Sequence, residues 1–172
     1  MNKDSFWTIV GNAIAAAGAD PEQKRAGLKQ ELEKLSAEDV FAFQKEFDQR
    51  RKEANTWELW AAAYIINGGC GDDTFGDFGC SLIMQGRDVF EKAARNPDSL
   101  AELKIEDPDE ELFYEGFQYV GVDVYEAKTG QDMPSTEVDY FGEPTGEEWD
   151  EDSTDDLRRL CPKICEKYPD YV

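Results

Sequence analysis

The feature that most limits what this chain can fold into is the run from Trp57 to Ile66, WELWAAAYII, which is apolar on every side except at Glu58. A helix that is hydrophobic all round has no face to turn to water and belongs in the middle of a core. The sequence therefore predicts a central helix that other elements must cover. Asn67-Gly68-Gly69 closes it, because these residues tolerate the left-handed conformation used at helix ends. Beyond that turn, Asp72 or Asp73 is placed to cap a second helix carrying Phe75, Phe78, Leu82 and Ile83 on one face. The core is expected to hold Trp57, Leu59, Trp60, Tyr64, Ile65 and Phe78.

The remaining segments supply the cover. Phe6, Ile9, Val10, Ala13, Ile14 and Ala17 recur at helical spacing, with Asp4 or Ser5 as cap and Gly18 near the end. Asp20-Pro21-Glu22 opens a second helix, with proline at its first position and Leu28, Leu32 and Leu35 on one stripe. Ser36 to Asp39 resembles a capping box with Asp in place of Glu, and Val40, Phe43 and Phe47 mark the buried face behind it. Gln49-Arg50-Arg51-Lys52 reads as a solvated, cationic helix end that suits the helix dipole. After Gly86 comes a short helix broken at Asn96-Pro97. Phe113, Phe117, Val120 and Val124 then predict one long helix over about 109–128, in which Gly116 and Gly121 mark close approach to a neighbour. Residues 131–149 follow neither helical nor strand periodicity, and Tyr140, Phe141 and Trp149 are expected to pin them to the body. An acidic start at 150–156 leads into a last helix with Leu157, Leu160, Cys161, Ile164, Cys165 and Tyr168 on its apolar face. At 172 residues the chain suffices for one core. The expected architecture is all-α, a single domain over 1–172 with seven to nine helices around the central one and a long loop, 131–149, before the last.

Composition bears on function through one absence and one imbalance. There is no histidine, which removes Ser-His-Asp and Cys-His nucleophile pairs, the HExxH zinc helix and mixed cysteine-histidine zinc fingers. The net charge is -21, and residues 1–60 hold 11 acids against 9 bases while 61–172 hold 28 against 9. Such a field repels nucleic acid and anionic membrane and favours encounter with a basic partner. The four cysteines are spaced C-x9-C and C-x3-C, without the C-x2-C knuckles that build all-thiolate zinc sites. Core thiols are the expectation, and Cys70 is singled out because a glycine turn just before a helix start lowers a thiol pKa. MNKDSFWTIV lacks the pattern of a leader, and no stretch approaches the roughly 20 apolar residues of a membrane span, so the expected location is the cytoplasm.

Asp72, Asp73 and Asp77, with Arg87 one helix length further, form the one cluster with catalytic potential. It reads either as a cation site or carboxylate pair for acid-base work, or as a helix cap with an Arg87 salt bridge. Gly68-Gly69-Cys70-Gly71 is a poor phosphate cradle, since no GKS or GKT follows and the aspartates would repel a phosphate.

The run from Trp57 to Leu103, with SAEDVFAFQKEFD before it and EEWDEDSTDDLRRLCPKICEKYPDYV at the end, resembles a bacterial family of uncharacterised proteins, domain-of-unknown-function family 4240. The likeness extends from about Phe6 to Tyr168, and NGGCxDDxFxxF followed by LIxQGRxVF carries its specificity. It implies a real family and no established reaction. In that family's pattern an arginine and a bulky aromatic stand near Gly79 and Ser81, and large apolar residues near Cys161 and Cys165. The resemblance therefore implies packing roles for these cysteines, and any family site built on an arginine beside Phe78 would be incomplete here. A looser similarity, an NGG turn before phenylalanines in a small acidic helical chain, is to bacterial DNA-mimic proteins.

The expected function is a non-enzymatic interaction module of the immunity, inhibitor or DNA-mimic type. Its partner would be a basic protein surface on a toxin, nuclease or DNA-binding protein, met by Glu147, Glu148, Asp150, Glu151 and Asp152. It would need no cofactor or metal, no direct nucleic-acid contact and no membrane. The alternatives are a small hydrolase or cation-dependent enzyme using Asp72, Asp73 and Asp77 with Arg87 as anion clamp, and an accessory subunit of a larger assembly. Placement separates them: a binder spreads carboxylates over an exposed face, whereas an enzyme gathers a few in a concave pocket.

Overall fold

The central helix forms as Trp57–Asn67 (α4), opened by Thr56, whose Oγ1 accepts the Leu59 N–H at 3.2 Å, and closed by Gly68 at φ 69°. The computed structural model describes residues 1–15, 17–151 and 153–171, and among them ten α-helices and no strand. One side of α4 is in the core through Leu59, Ala61, Ala62, Ala63, Ile65 and Ile66. Trp57, Trp60 and Tyr64 depart from expectation: they are only half-buried. Spaced i, i+3 and i+7, they form a stripe along the margin of the core, against which Trp60 and Tyr64 still pack.

Around α4 the local signals act mostly as read. Lys3–Ile14 (α1) is capped by Asn2 rather than Asp4 or Ser5, its Oδ1 accepting the Ser5 N–H at 2.8 Å. Pro21–Glu33 (α2) is capped by Asp20, and Ala37–Ala54 (α3) by Ser36. α1 and α2 touch backbone to backbone, since a Cβ on Gly27 would lie 2.3 Å from the Ala13 carbonyl oxygen. Phe6 then stacks on Phe43 of α3 at 5.0 Å. Asp72–Ile83 (α5) buries Phe75, Phe78, Leu82 and Ile83 as expected, and Arg87–Arg95 (α6) adds Phe90. No aspartate caps α5: the cap is Gly71, with no side-chain hydrogen bond, and Asp72 and Asp73 occupy the first turn.

Two expected long helices are interrupted. The 109–128 segment splits into Pro108–Leu112 (α7), a 3-10 turn at Glu115–Phe117 and Val120–Thr129 (α8). The break follows a long-range bond, the Tyr114 N–H donating to the buried Ser81 Oγ at 3.0 Å, and Gly116 makes room for the Tyr114 ring. Gly121 does mark a close approach, to Gln44 of α3. The last helix splits into Thr154–Leu160 (α9) and Pro162–Lys167 (α10) because Pro162 has no N–H to continue the ladder. Buried Asp98 caps α10 from across the fold, its Oδ1 accepting the Lys163 and Ile164 N–H groups at 2.8 and 3.0 Å. Eight of the ten helices have seven or more residues, and the two shorter ones arise at these breaks.

The irregular stretch after α8 is a strap laid across α3 and α4. Thr136 Oγ1 donates to Asp48 Oδ2 at 2.5 Å, Asn55 Nδ2 to the Gly142 carbonyl at 2.7 Å, and Trp149 Nε1 to the Trp57 carbonyl at 2.8 Å. Thr56 and Thr145 form an isolated parallel bridge. Among the described residues, no helix is long and apolar enough to cross a membrane.

Candidate functional site

The strap leaves two adjoining cavities over the aromatic stripe of α4. One, of about 610 Å³, is lined by Arg51 and Asn55 of α3 and its end, Trp57 and Trp60 of α4, Asp72, Asp73 and Phe75 of α5, and 140–144 of the strap. The other, of about 580 Å³, is lined by Trp57, Trp60, Tyr64, Cys70, Glu148, Trp149, Asp150 and Glu151. Trp57 and Trp60 belong to both, so the pair forms the ridge between them.

The rings are held from behind. Trp60 stacks on Phe75 with centroids 4.1 Å apart and planes 12° off parallel, and its Nε1 donates to Asn55 Oδ1 at 3.0 Å. Asn55 thus ties the indole to the strap, through its amide bond to Gly142. Tyr64 and Trp149 meet edge to face at 5.2 Å and 73°.

Arg51 is the residue that sequence reasoning misplaced. The run at 49–52 was expected to be a solvated helix end, yet Arg50 and Arg51 are only 5% and 6% exposed. Arg50 is held by Glu53 at 3.1 Å and Glu46 at 3.5 Å. Arg51 lies under the strap, its guanidinium carbon 3.8 Å from the Tyr140 ring centre and its Nη1 3.9 Å from Asp48 Oδ1. Burial pushes the Asp48 carboxyl up, against hydrogen bonds from Thr136 and Gln44 and the charge of Arg51. The signal was available: 50 and 51 stand three and four residues beyond Phe47, on the continuation of the buried stripe that ends at Ala54.

Of the catalytic candidates, the three aspartates share the first turns of α5 and Arg87 does not join them. Asp72 and Asp73 line the larger cavity, both exposed at the start of α5 where the dipole favours negative charge. Asp77 accepts from Gln118 Nε2 at 3.3 Å, and burial, then the charge of Glu115, pushes its carboxyl up to about 6. Arg87 is elsewhere, bound to Asp4 at 2.8 Å and Glu91 at 3.0 Å where α6 meets α1, so it is no anion clamp for the aspartates. Among the described residues, no three Cys, Asp or Glu side chains are grouped to hold a metal ion. Cys70 reverses its expected chemistry: burial and the charge of Asp72 push its thiol up to about 12. Cys80, Cys161 and Cys165 are buried free thiols.

Of the expected partner-binding residues, Glu147, Glu148, Asp150 and Glu151 are exposed on the strap, and the last three line the smaller cavity. Asp152 lies outside the described residues. Gly79, where the family resemblance implies a nearby arginine, lines the larger cavity, and a Cβ there would meet nothing within 4 Å.

No curated protein and no solved structure matches the chain. Residues 1–127 match the family model described as "Protein of unknown function (DUF4240)". That match runs from α1 into α8, covering Arg51, Trp57, Trp60, Asp72 and Asp73 and stopping short of the strap and the last two helices, although the resemblance was drawn as far as Tyr168. With 127 of 172 residues matched, the chain belongs to the DUF4240 family.

Proposed function

We propose that this protein is a non-enzymatic interaction module that binds a basic protein surface, with the acidic end of the strap as its contact. One observation carries the reading: Trp149, anchored by its Nε1 to the Trp57 carbonyl, holds exposed Glu147, Glu148, Asp150 and Glu151 beside half-buried aromatic rings. Carboxylates on an anchored segment need less backbone ordering on association than carboxylates on a free loop, and so lose less affinity to conformational entropy. The separation of Arg87 from the aspartates weighs against a catalytic centre in which it clamps an anion beside them.

A basic toxin, nuclease or DNA-binding protein has the matching chemistry. Association is then fast at low salt and weakens steeply as ionic strength rises, because exposed charges are screened beyond a Debye length of about 10 Å at 0.1 M. The test is a pull-down from host lysate at low and high salt, followed by association kinetics on each captured protein. Changing Glu147, Glu148, Asp150, Glu151 and Asp152 together to Gln or Asn is expected to slow association without unfolding the protein. Capture of salt-insensitive partners alone, or unchanged kinetics in the neutralised variant, refutes the reading.

A further inference from the structure

The two cavities differ in charge. The larger has Arg51 in its wall, whereas among the described residues no lysine or arginine lines the smaller. Apart from Cys70, what the smaller one offers is aromatic rings and acidic residues: Trp57, Trp60, Tyr64 and Trp149, all half-buried, with exposed Glu148, Asp150 and Glu151. The rings are not parallel. Trp57 and Trp60 lie 46° apart at 6.4 Å, and Tyr64 and Trp149 cross at 73°, so within each pair the rings meet at an angle rather than as a flat stack. A cavity lined by angled electron-rich rings and acidic residues attracts organic cations, which are drawn to π-faces within about 6 Å and to negative charge at once.

We infer that this cavity seats an arginine side chain projecting from the basic partner, its guanidinium laid on an indole face and its N–H groups turned to Glu148 and Glu151. This rests on the reading of the protein as a binder of a basic surface and names the group it recognises. Arginine fits better than lysine on chemical grounds. A guanidinium is planar, weakly hydrated and able to stack while donating in its own plane, whereas an ammonium is compact and strongly hydrated. A volume of about 580 Å³ exceeds one side chain and leaves room for the backbone that carries it.

The probe is a short, end-blocked peptide with one central arginine, titrated against the full chain by tryptophan fluorescence. It is compared with otherwise identical peptides carrying lysine, or citrulline, which keeps the shape and removes the charge. The arginine peptide is expected to saturate and citrulline to weaken binding by about tenfold, the combined loss of a cation–π contact and an exposed ion pair. Glu148→Gln with Glu151→Gln is expected to weaken it severalfold, and Trp57→Leu to weaken it further with an unchanged circular dichroism spectrum. Equal binding of the citrulline peptide, equal binding of lysine and arginine, or indifference to the double Gln variant overturns the assignment, and the peptide series on the unaltered protein does so without relying on any variant folding. Salt-sensitive capture of a basic protein alongside failure of every peptide refutes the seat and leaves the proposed function standing. Failure of both removes both.

Discussion

Replacing Asp77 by Asn should stabilise the protein, by an amount that grows as pH rises from about 4 to about 7. In the folded chain this carboxyl is pushed up to about 6 from the ordinary 3.8, by burial first, then by the charge of Glu115, with Asp73 adding and Arg51 opposing. Between those two values the folded state holds the proton more tightly than the unfolded state, so stability falls as pH rises through the window. The penalty is absent below about pH 4 and complete above about pH 7. At about 1.4 kcal/mol per pH unit the full difference would be roughly 3 kcal/mol. Asp77 is only half-buried, however, and solvent screening brings the expected effect to about 1 kcal/mol. Asparagine keeps a side-chain oxygen for the Gln118 amide, now 3.3 Å away, while removing the charge. For a chain of this size the gain corresponds to a rise of about 2–4 °C in melting temperature at pH 8. It should shrink through pH 6 and vanish near pH 4. Paired melts of the two proteins over pH 4–8 measure it, and comparison at each pH cancels the other titrating acids. A variant less stable at pH 8, or a gain that does not change with pH, would refute the reasoning.

Gly27→Ala should destabilise the fold by about 1–3 kcal/mol, since its Cβ would meet the Ala13 carbonyl oxygen at 2.3 Å and two backbones must part. Gly11→Ala, on an exposed side of α1 with nothing within 4 Å, is the control, and urea melts should show it gaining about 0.5–1 kcal/mol. Iodoacetamide at pH 8 should label Cys70 slowly, because a thiol pushed up to about 12 holds almost no thiolate there; rapid modification followed by mass spectrometry would contradict that environment.

What could be read from the sequence was local. Asp20 and Ser36 cap the helices assigned to them because a cap is decided within four residues. The central helix was legible for the same reason, as ten consecutive residues left it no alternative. The interrupted helices were not, because their breaks answer to distant partners. The apolar spacing of Phe113, Phe117, Val120 and Val124 is real, but Tyr114 leaves the helix to reach Ser81, 33 residues earlier. Asp98, 65 residues before Lys163, determines where α10 can begin with its N–H groups satisfied. Pro162 was the exception, a local helix breaker standing in the sequence at the position where the last helix divides.

The site was half legible, and the missing half follows from one step of geometry. A helix apolar all round can be covered by core on one side and by something other than core on the other. Here the other cover is the strap, held by Asn55, Trp149, Asp48 and the stack of Tyr140 on Arg51. Those same anchors divide the charge. Arg51 is used up beneath the strap, beside Asp48 and near enough to Asp77 to lower its pKa against burial, so this cation serves the larger cavity. The smaller cavity is left with rings, Cys70 and the acidic residues Glu148, Asp150 and Glu151. Arg51, expected at a solvated helix end, is buried beneath the strap, and the aromatic stripe, expected in the core, packs against it while staying half-exposed; both departures meet where the strap crosses α3 and α4.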